Sequence, residues 1–254
     1  MEKLLRDTLL IYRYTLRSTV RNPVFVIIGL FNPLCFLFMF APLLNELSHT
    51  AYFSGANTLA IFLPGLLIMM SLYATSFTGF KLIDEVRIGF IERLWVSPVS
   101  RFALVLGRAL RDMTILLFQA LSLIGLSFLS GLEASVGGIA ITLVLVMLVG
   151  IVLSSCSYML ALILREEEGL AATINFFIVP LQLLAGITLP LTLAPVWLKT
   201  ASRFNPLSHV VDASRSLFVG NFAHSSVVIS FALMILLTAG TLYALTRVYK
   251  KRAV

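Results

Sequence analysis

Charge is scarce in this chain: Asp, Glu, Lys and Arg make up 12% of its 254 residues, about half the share usual in a soluble domain. Histidine occurs only at His49, His209 and His224, with no H-E-x-x-H spacing, so the common zinc-hydrolase helix is excluded and no metal site is expected. There are two cysteines, Cys35 and Cys156, both inside apolar runs. They read as small packing residues and exclude a disulfide framework. No G-x-x-x-x-G-K-[ST] loop is present, which removes that route to cradling nucleotide phosphates. The interiors of the apolar runs hold no Asp or Glu, which leaves an intramembrane enzyme without a paired carboxylate.

What the chain does have is apolar length. Hydrophobic residues reach 59% and the mean hydropathy is +0.99, the composition of a polytopic membrane protein. Six runs are long enough to cross a bilayer core of about 30 Å: residues 24–44, 59–80, 113–132, 139–164, 170–189 and 227–246. Asn32-Pro33 is expected to kink the first, because proline removes a backbone donor and crowds the preceding turn. The short stretch 133–138 makes the third and fourth runs an antiparallel pair. The fold class predicted is an all-α membrane protein, one transmembrane domain over 1–254 with six spans.

Three segments fall outside the spans. Residues 1–22 repeat Leu5, Leu9, Tyr12 and Leu16 beside Arg6, Arg13, Arg17 and Arg21, the pattern of an amphipathic helix lying in the interface. Charges scattered through it argue against a signal peptide. Residues 81–112 form a charged loop, in which Phe90, Ile91, Leu94 and Trp95 make an apolar patch ringed by Glu85, Arg87, Glu92 and Arg93. A short amphipathic helix of this kind suits insertion into a partner's groove, with Pro98 ending it. Residues 190–226 are too polar to span cleanly and too apolar for a free loop, so re-entrant or interfacial helices are expected.

Orientation follows from the basic residues. With the N-terminus inside, every Lys and Arg lies on the cytoplasmic side except Lys199, Arg203 and Arg215. Both termini are therefore placed in the cytoplasm of a cell membrane. The net charge of +7 arises at the flanks of apolar runs, so the partner it implies is the lipid bilayer and not nucleic acid.

Four short motifs carry a resemblance. Glu92-Arg-Leu-Trp-Val-Ser-Pro-Val-Ser-Arg101 fits E-x-L-x-x-[ST]-P-[VL]-[ST]-R; Phe62-Leu-Pro-Gly-Leu-Leu67 fits a proline-glycine entry to the second span. Val179-Pro-Leu with Ala185-Gly-Ile-Thr-Leu-Pro190 fits a proline-bearing fifth span, and the stretch from Asn205-Pro-Leu to Arg215 fits an outer segment. In this order they resemble the type-2 ABC exporter permeases, the family of drug-resistance and nodulation-type export subunits, over nearly the whole chain. The resemblance implies a bacterial or archaeal permease without a cofactor of its own. It pairs with a second permease copy or a related one, and with a separate subunit that binds ATP and Mg. It further implies that Glu85, Arg87, Phe90, Ile91, Glu92, Arg93, Leu94, Trp95, Pro98 and Arg101 belong to the contact with that subunit. Glu167 and Glu168 are a candidate second contact.

On the opposite side Asn205, Pro206, Asp212 and Arg215 are candidates for an outer gate, with Asp212 and Arg215 three apart on a helix. Asn32, Gln119, Asn175 and Gln182 are the weak polar points of an otherwise apolar and aromatic pathway. Such a lining suits a lipophilic drug-like or lipid-like substrate moved by alternating access. Export of a polysaccharide or lipid-linked glycan, and a stand-alone channel, are the alternatives.

Overall fold

A computed structural model describes residues 2–21, isolated positions between 27 and 39, and the stretches 58–91, 99–187 and 194–251. Among them the regular structure is wholly helical: α1 (Glu2–Val20), α2 (Thr58–Ser76), α3 (Gly79–Arg87), α4 (Arg101–Leu129), α5 (Val136–Leu164), α6 (Glu167–Leu184), α7 (Val196–Ser202), α8 (Pro206–Phe218) and α9 (Ser225–Lys251). Among the described residues four stretches are long and apolar enough to cross a membrane: Leu59–Arg87, which joins α2 to α3, and α4, α5 and α9. The predicted first run, with its kink at Asn32-Pro33, lies largely outside the described residues. The predicted fifth run is the helix α6, with Pro180 inside it.

Helix α5 is the hub, touching α2, α3, α4, α6, α8 and α9. It does so through small residues. A Cβ on Gly138 would lie 1.8 Å from the Leu217 carbonyl oxygen of α8, and one on Gly150 would lie 2.7 Å from Leu116 of α4. Only glycine lets the backbones approach so closely, which is how helices associate where lipid removes the hydrophobic drive between them. Polar groups close the remaining gaps. The break between α2 and α3 at Phe77-Thr78 would strand a carbonyl and an amide, and Ser157 of α5 serves both. Its hydroxyl donates to the Ser76 carbonyl at 2.5 Å and accepts from the Gly79 amide at 2.9 Å.

The start of α8 is built by Asn205-Pro206. Pro206 occupies the first turn, where its missing N–H costs nothing, and the Asn205 side chain accepts from Leu207 N at 3.0 Å. The same side chain donates to the Leu181 carbonyl at 2.8 Å, fastening α8 to α6. Thus the predicted segment 190–226 does carry two short helices, α7 and α8, within its described part.

Helix α1 is helical as its periodicity requires, but its inward face is not the leucine stripe. Thr8, Thr15 and Thr19 are buried, while Leu5 is 67% exposed and Leu9 is exposed with it. Each threonine hydroxyl donates to a carbonyl of the preceding turn, at 2.8, 2.8 and 3.0 Å, so the face is compact and self-satisfied. It lies on α4 at Gly107, where a Cβ would come within 2.8 Å of Ile11. Tyr12 Oη adds a bond of 3.1 Å to Thr114.

The charged loop is shorter than its composition suggests. Lys81–Arg87 belongs to α3 and Arg101–Asp112 to α4, so only 88–100 connects the two. The end of α3 is followed by Gly89, at φ 68°, a left-handed conformation that favours glycine. From Arg101 onward nothing in the sequence interrupts the helix.

Candidate functional site

A cavity of about 700 Å³ opens between α1, α2, α3 and α4, within the volume range of sites for drug-sized ligands. Its lining changes character along its length. Leu66, Met69, Met70 and Leu116 form one end, Tyr73, Phe77, Phe80 and Tyr14 form the middle, and Lys81, Asp84, Glu85, Arg111 and Asp112 form the other. The gradient follows from position on the helices. Leu66 and Asp84 are separated by α2 and part of α3, a rise of about 27 Å at 1.5 Å per residue.

The charged end is a network buried inside the bundle. Glu85 and Arg108 pair at 2.5 Å with both side chains largely out of water, and the Arg108 guanidinium lies 5.9 Å from the centre of the Tyr158 ring. Arg111 Nε is 2.9 Å from the Asp112 carboxylate. Tyr158 of α5 donates to the other Asp112 oxygen at 2.6 Å and accepts from Arg111 at 2.8 Å. Thr19 of α1 accepts from Arg111 at 3.2 Å and from Lys81 Nζ at 3.0 Å. Four helices, α1, α3, α4 and α5, therefore meet on one set of charges. Burial of Glu85, Arg108, Arg111 and Asp112 is tolerable only because each of the four is paired, since an isolated charge would cost several kcal/mol, of order 3–5 when one partner is removed.

This network corrects the charged loop expected over 81–112: Arg108, Arg111 and Asp112 lie on the buried face of α4, near its start. The available signal was the uninterrupted helical pattern from Arg101 to Leu129, with Ala103, Leu104, Ala109, Met113 and Leu116 on the buried face beside the charges.

Of the residues expected to contact a partner subunit, Arg87 is exposed and pairs with Glu167, joining α3 to α6. Glu168 beside it is exposed. Arg101 donates to the Lys250 carbonyl at 3.1 Å, linking the start of α4 to the end of α9. Glu85 is committed to Arg108. Ile91 is 1% exposed, and Phe90 stacks on Tyr14 with ring centroids 5.2 Å apart. These last two serve the packing of this chain and not an outward ridge. Glu92, Arg93, Leu94, Trp95 and Pro98 lie outside the described residues.

At the opposite end Arg215 is a carbonyl clamp. It donates to Ile61 O at 3.0 Å, to Gly186 O at 2.8 Å and to Ile187 O at 3.5 Å, holding α8, α2 and the end of α6 together. Its approach to Asp212 is only 4.0 Å, and the Asp212 side chain is 54% exposed. Partial burial nevertheless pushes the Asp212 carboxyl above its ordinary range, with Arg215, His209 and His224 pulling it back. Among the pathway candidates, Gln119 lines the cavity. Gln182 stands behind its wall, accepting from Tyr73 Oη at 2.9 Å. Asn175 is exposed on the outer face of α6, beside exposed Phe176 and Phe177, and Asn32 lies outside the described residues.

Comparison with known proteins agrees with this architecture. A family model described as ABC-2 type transporter matches residues 6–219. The ycf38 protein of Cyanophora paradoxa is 27% identical over 215 residues, covering 84% of this chain and 73% of the relative. The daunorubicin resistance ABC transporter permease protein DrrB1 of Streptomyces coeruleorubidus is 26% identical, over 78% of this chain and 70% of the relative. The probable multidrug ABC transporter permease YbhR of Escherichia coli K12 is 20% identical, over 74% of this chain and 52% of the relative. The chain belongs to the ABC-2 type transporter family, as a multi-pass membrane permease.

Proposed function

We propose that this chain is the membrane-spanning subunit of an ATP-driven exporter, moving a lipophilic drug-like or lipid-like molecule out of the cytoplasm or inner leaflet. The observation that carries the reading is the graded cavity, whose methionine and aromatic wall lies within the bundle while its charged mouth is bounded by α1, α3 and α4. An apolar guest gains about 25 cal/mol for each Å² it withdraws from water, and unbranched methionines adapt to guests of different shape. Names given to relatives, daunorubicin resistance and multidrug permease, favour the same class of cargo.

The energy comes from a separate subunit that binds ATP and Mg, docked at the connection 88–100 and at the exposed Arg87, Glu167 and Glu168. Two permeases, identical or related, share two such subunits. Both termini face the cytoplasm, which puts the charged mouth on the same side as the ATPase. Closure of the ATPase pair displaces α3 and α4 together, because Glu85–Arg108 binds one to the other, and Thr19 and Tyr158 carry the movement into α1 and α5. The cavity thus closes inward and opens outward, with the Arg215 clamp holding the outer segment.

The test is purification of tagged permease from native membranes, followed by reconstitution in vesicles. Recovery of an ATP-binding subunit and ATP-dependent extrusion of a fluorescent lipophile, both lost in Leu94→Asp, support the reading. Transport without ATP, by this chain alone, makes it a channel. Extrusion of a glycan and not of lipophiles supports the polysaccharide alternative.

A further inference from the structure

We infer that the cavity takes an amphiphile with an anionic head, a carboxylate or a phosphate ester, gripped by Lys81 with its apolar part lying along α2. The inference rests on the export reading and names the chemistry of its cargo.

The charges at the mouth are not equivalent. Glu85 is closed by Arg108 at 2.5 Å, and Asp112 is closed by Arg111 at 2.9 Å and by Tyr158 at 2.6 Å. These carboxylates are spent on the protein's own cations. Lys81 is different. Among the described residues no carboxylate oxygen lies within 4.0 Å of its nitrogen, and its bond is to the neutral Thr19 hydroxyl at 3.0 Å. An ammonium group carries three donors, so two remain for a guest. Lys81 is half-buried and faces the cavity between Phe80, Tyr14 and Thr78, in surroundings that strengthen a charge-assisted hydrogen bond. The acid left for a cationic guest is Asp84, one turn further along α3, and it is exposed at the rim where water satisfies it. An anion placed at Lys81 points its remaining atoms toward Tyr73, Met70 and Leu66, the apolar end of the same cavity.

The experiment titrates purified permease, in a neutral detergent, with dodecyl phosphate, dodecylamine and dodecanol, which share one tail. Dodecyl phosphate is expected to bind at least about tenfold more tightly than the other two, the scale of one charge-assisted hydrogen bond. Lys81→Gln should abolish that preference and Lys81→Arg should keep it. A preference for dodecylamine, no preference at all, or an unchanged preference in Lys81→Gln overturns the proposal. If Lys81→Gln does not fold, the three-ligand series on the native protein decides. A second arm repeats the titration in nanodiscs with and without phosphatidic acid. Displacement assigns the head group to a membrane lipid; undiminished binding assigns it to a free amphiphile; either leaves the proposal standing. Binding is read without the ATPase, so the two readings fail separately. ATP-driven export of a neutral lipophile with no phosphate preference removes the anion site and keeps the exporter. Phosphate-selective binding without any ATP-coupled transport does the reverse.

Discussion

Replacing Asp112 by Asn tests whether the charged network is a dry, paired structure. The substitution keeps shape and one acceptor for Tyr158 but removes the negative charge beside Arg111, whose side chain is 7% exposed. Arg111 would keep only the neutral partners Tyr158 and Thr19. Stranding a buried charge in this way costs about 3–5 kcal/mol. On the scale of soluble domains of similar length, a loss of that size lowers the melting temperature by roughly 6–20 °C. The assay is loss of monodisperse protein on heating in detergent, followed by size-exclusion chromatography. The double variant Arg111→Met with Asp112→Asn removes the stranded cation, and it should melt well above Asp112→Asn alone. That non-additivity is the signature of a direct pair. An Asp112→Asn protein melting within about 2 °C of the parent, where 1 kcal/mol is already worth about 2–4 °C, would refute the reasoning. So would a double variant whose losses simply add, since water would then be doing what the carboxylate is claimed to do.

Other expectations follow from particular contacts. Ser157→Ala leaves both the Ser76 carbonyl and the Gly79 amide unserved in the bundle, at about 1–3 kcal/mol for each group, and should lower the melting temperature in the same assay. Gly138→Ala forces a Cβ to 1.8 Å from the Leu217 carbonyl oxygen, so the folded yield should fall sharply, while alanine at Gly125, where a Cβ meets nothing within 4 Å, should be accepted. At the α8 end of the bundle Arg215→Gln should destabilise and reduce export, because three carbonyls lose their donor. Asp212→Asn should be neutral or slightly stabilising. Burial raises the Asp212 carboxyl above its ordinary value, so the ionised form is disfavoured in the folded state. The difference from Asp212→Asn should therefore vanish below the ordinary carboxylate range and emerge as pH rises through the raised one, in melting curves measured across that range.

Four of the six expected spans were legible because their signal is length, as in the apolar helix Val136–Leu164. The start of α8 was legible through Asn205-Pro206, a pair whose capping chemistry fixes where a helix starts. The charged end was not. Polarity alone cannot separate a solvated loop from a buried ion network, because the partners that make burial tolerable come from distant positions: Glu85 for Arg108, Tyr158 for Asp112, Thr19 for Lys81. Nothing local to residues 108–112 announces those partners. The cavity was hidden for the same reason, as its wall is assembled from four helices and, of the described pathway candidates, only Gln119 reaches it.

Helix α1 shows how the solvent decides what a periodic pattern means. In water, the face repeating Leu5, Leu9 and Leu16 would pack inward and its threonines would be incidental. Here Leu5 and Leu9 are exposed and Thr8, Thr15 and Thr19 are buried, with Ile11, Tyr12 and Thr19 meeting α4 at Gly107, Thr114 and Arg111. Where lipid is the surrounding medium it satisfies a leucine as well as a protein core does, and burying one against a neighbouring helix would gain little. At Gly107 the Ile11 side chain and the Thr8 carbonyl press on α4, 2.8 and 3.0 Å from where a Cβ would stand, while the threonine hydroxyls, bonded to their own helix, leave no donor unserved on that face. Thr19 does one thing more. Its oxygen takes hydrogen bonds from Arg111 and Lys81, so the residue that seats α1 also joins it to the charged end of the cavity. Thr19→Val, which keeps the shape and removes the acceptor, should therefore leave α1 docked while loosening its coupling to α3 and α4. Its measurable consequence is export lowered more than melting temperature, and a variant in which both fell together would show the hydroxyl to be structural alone.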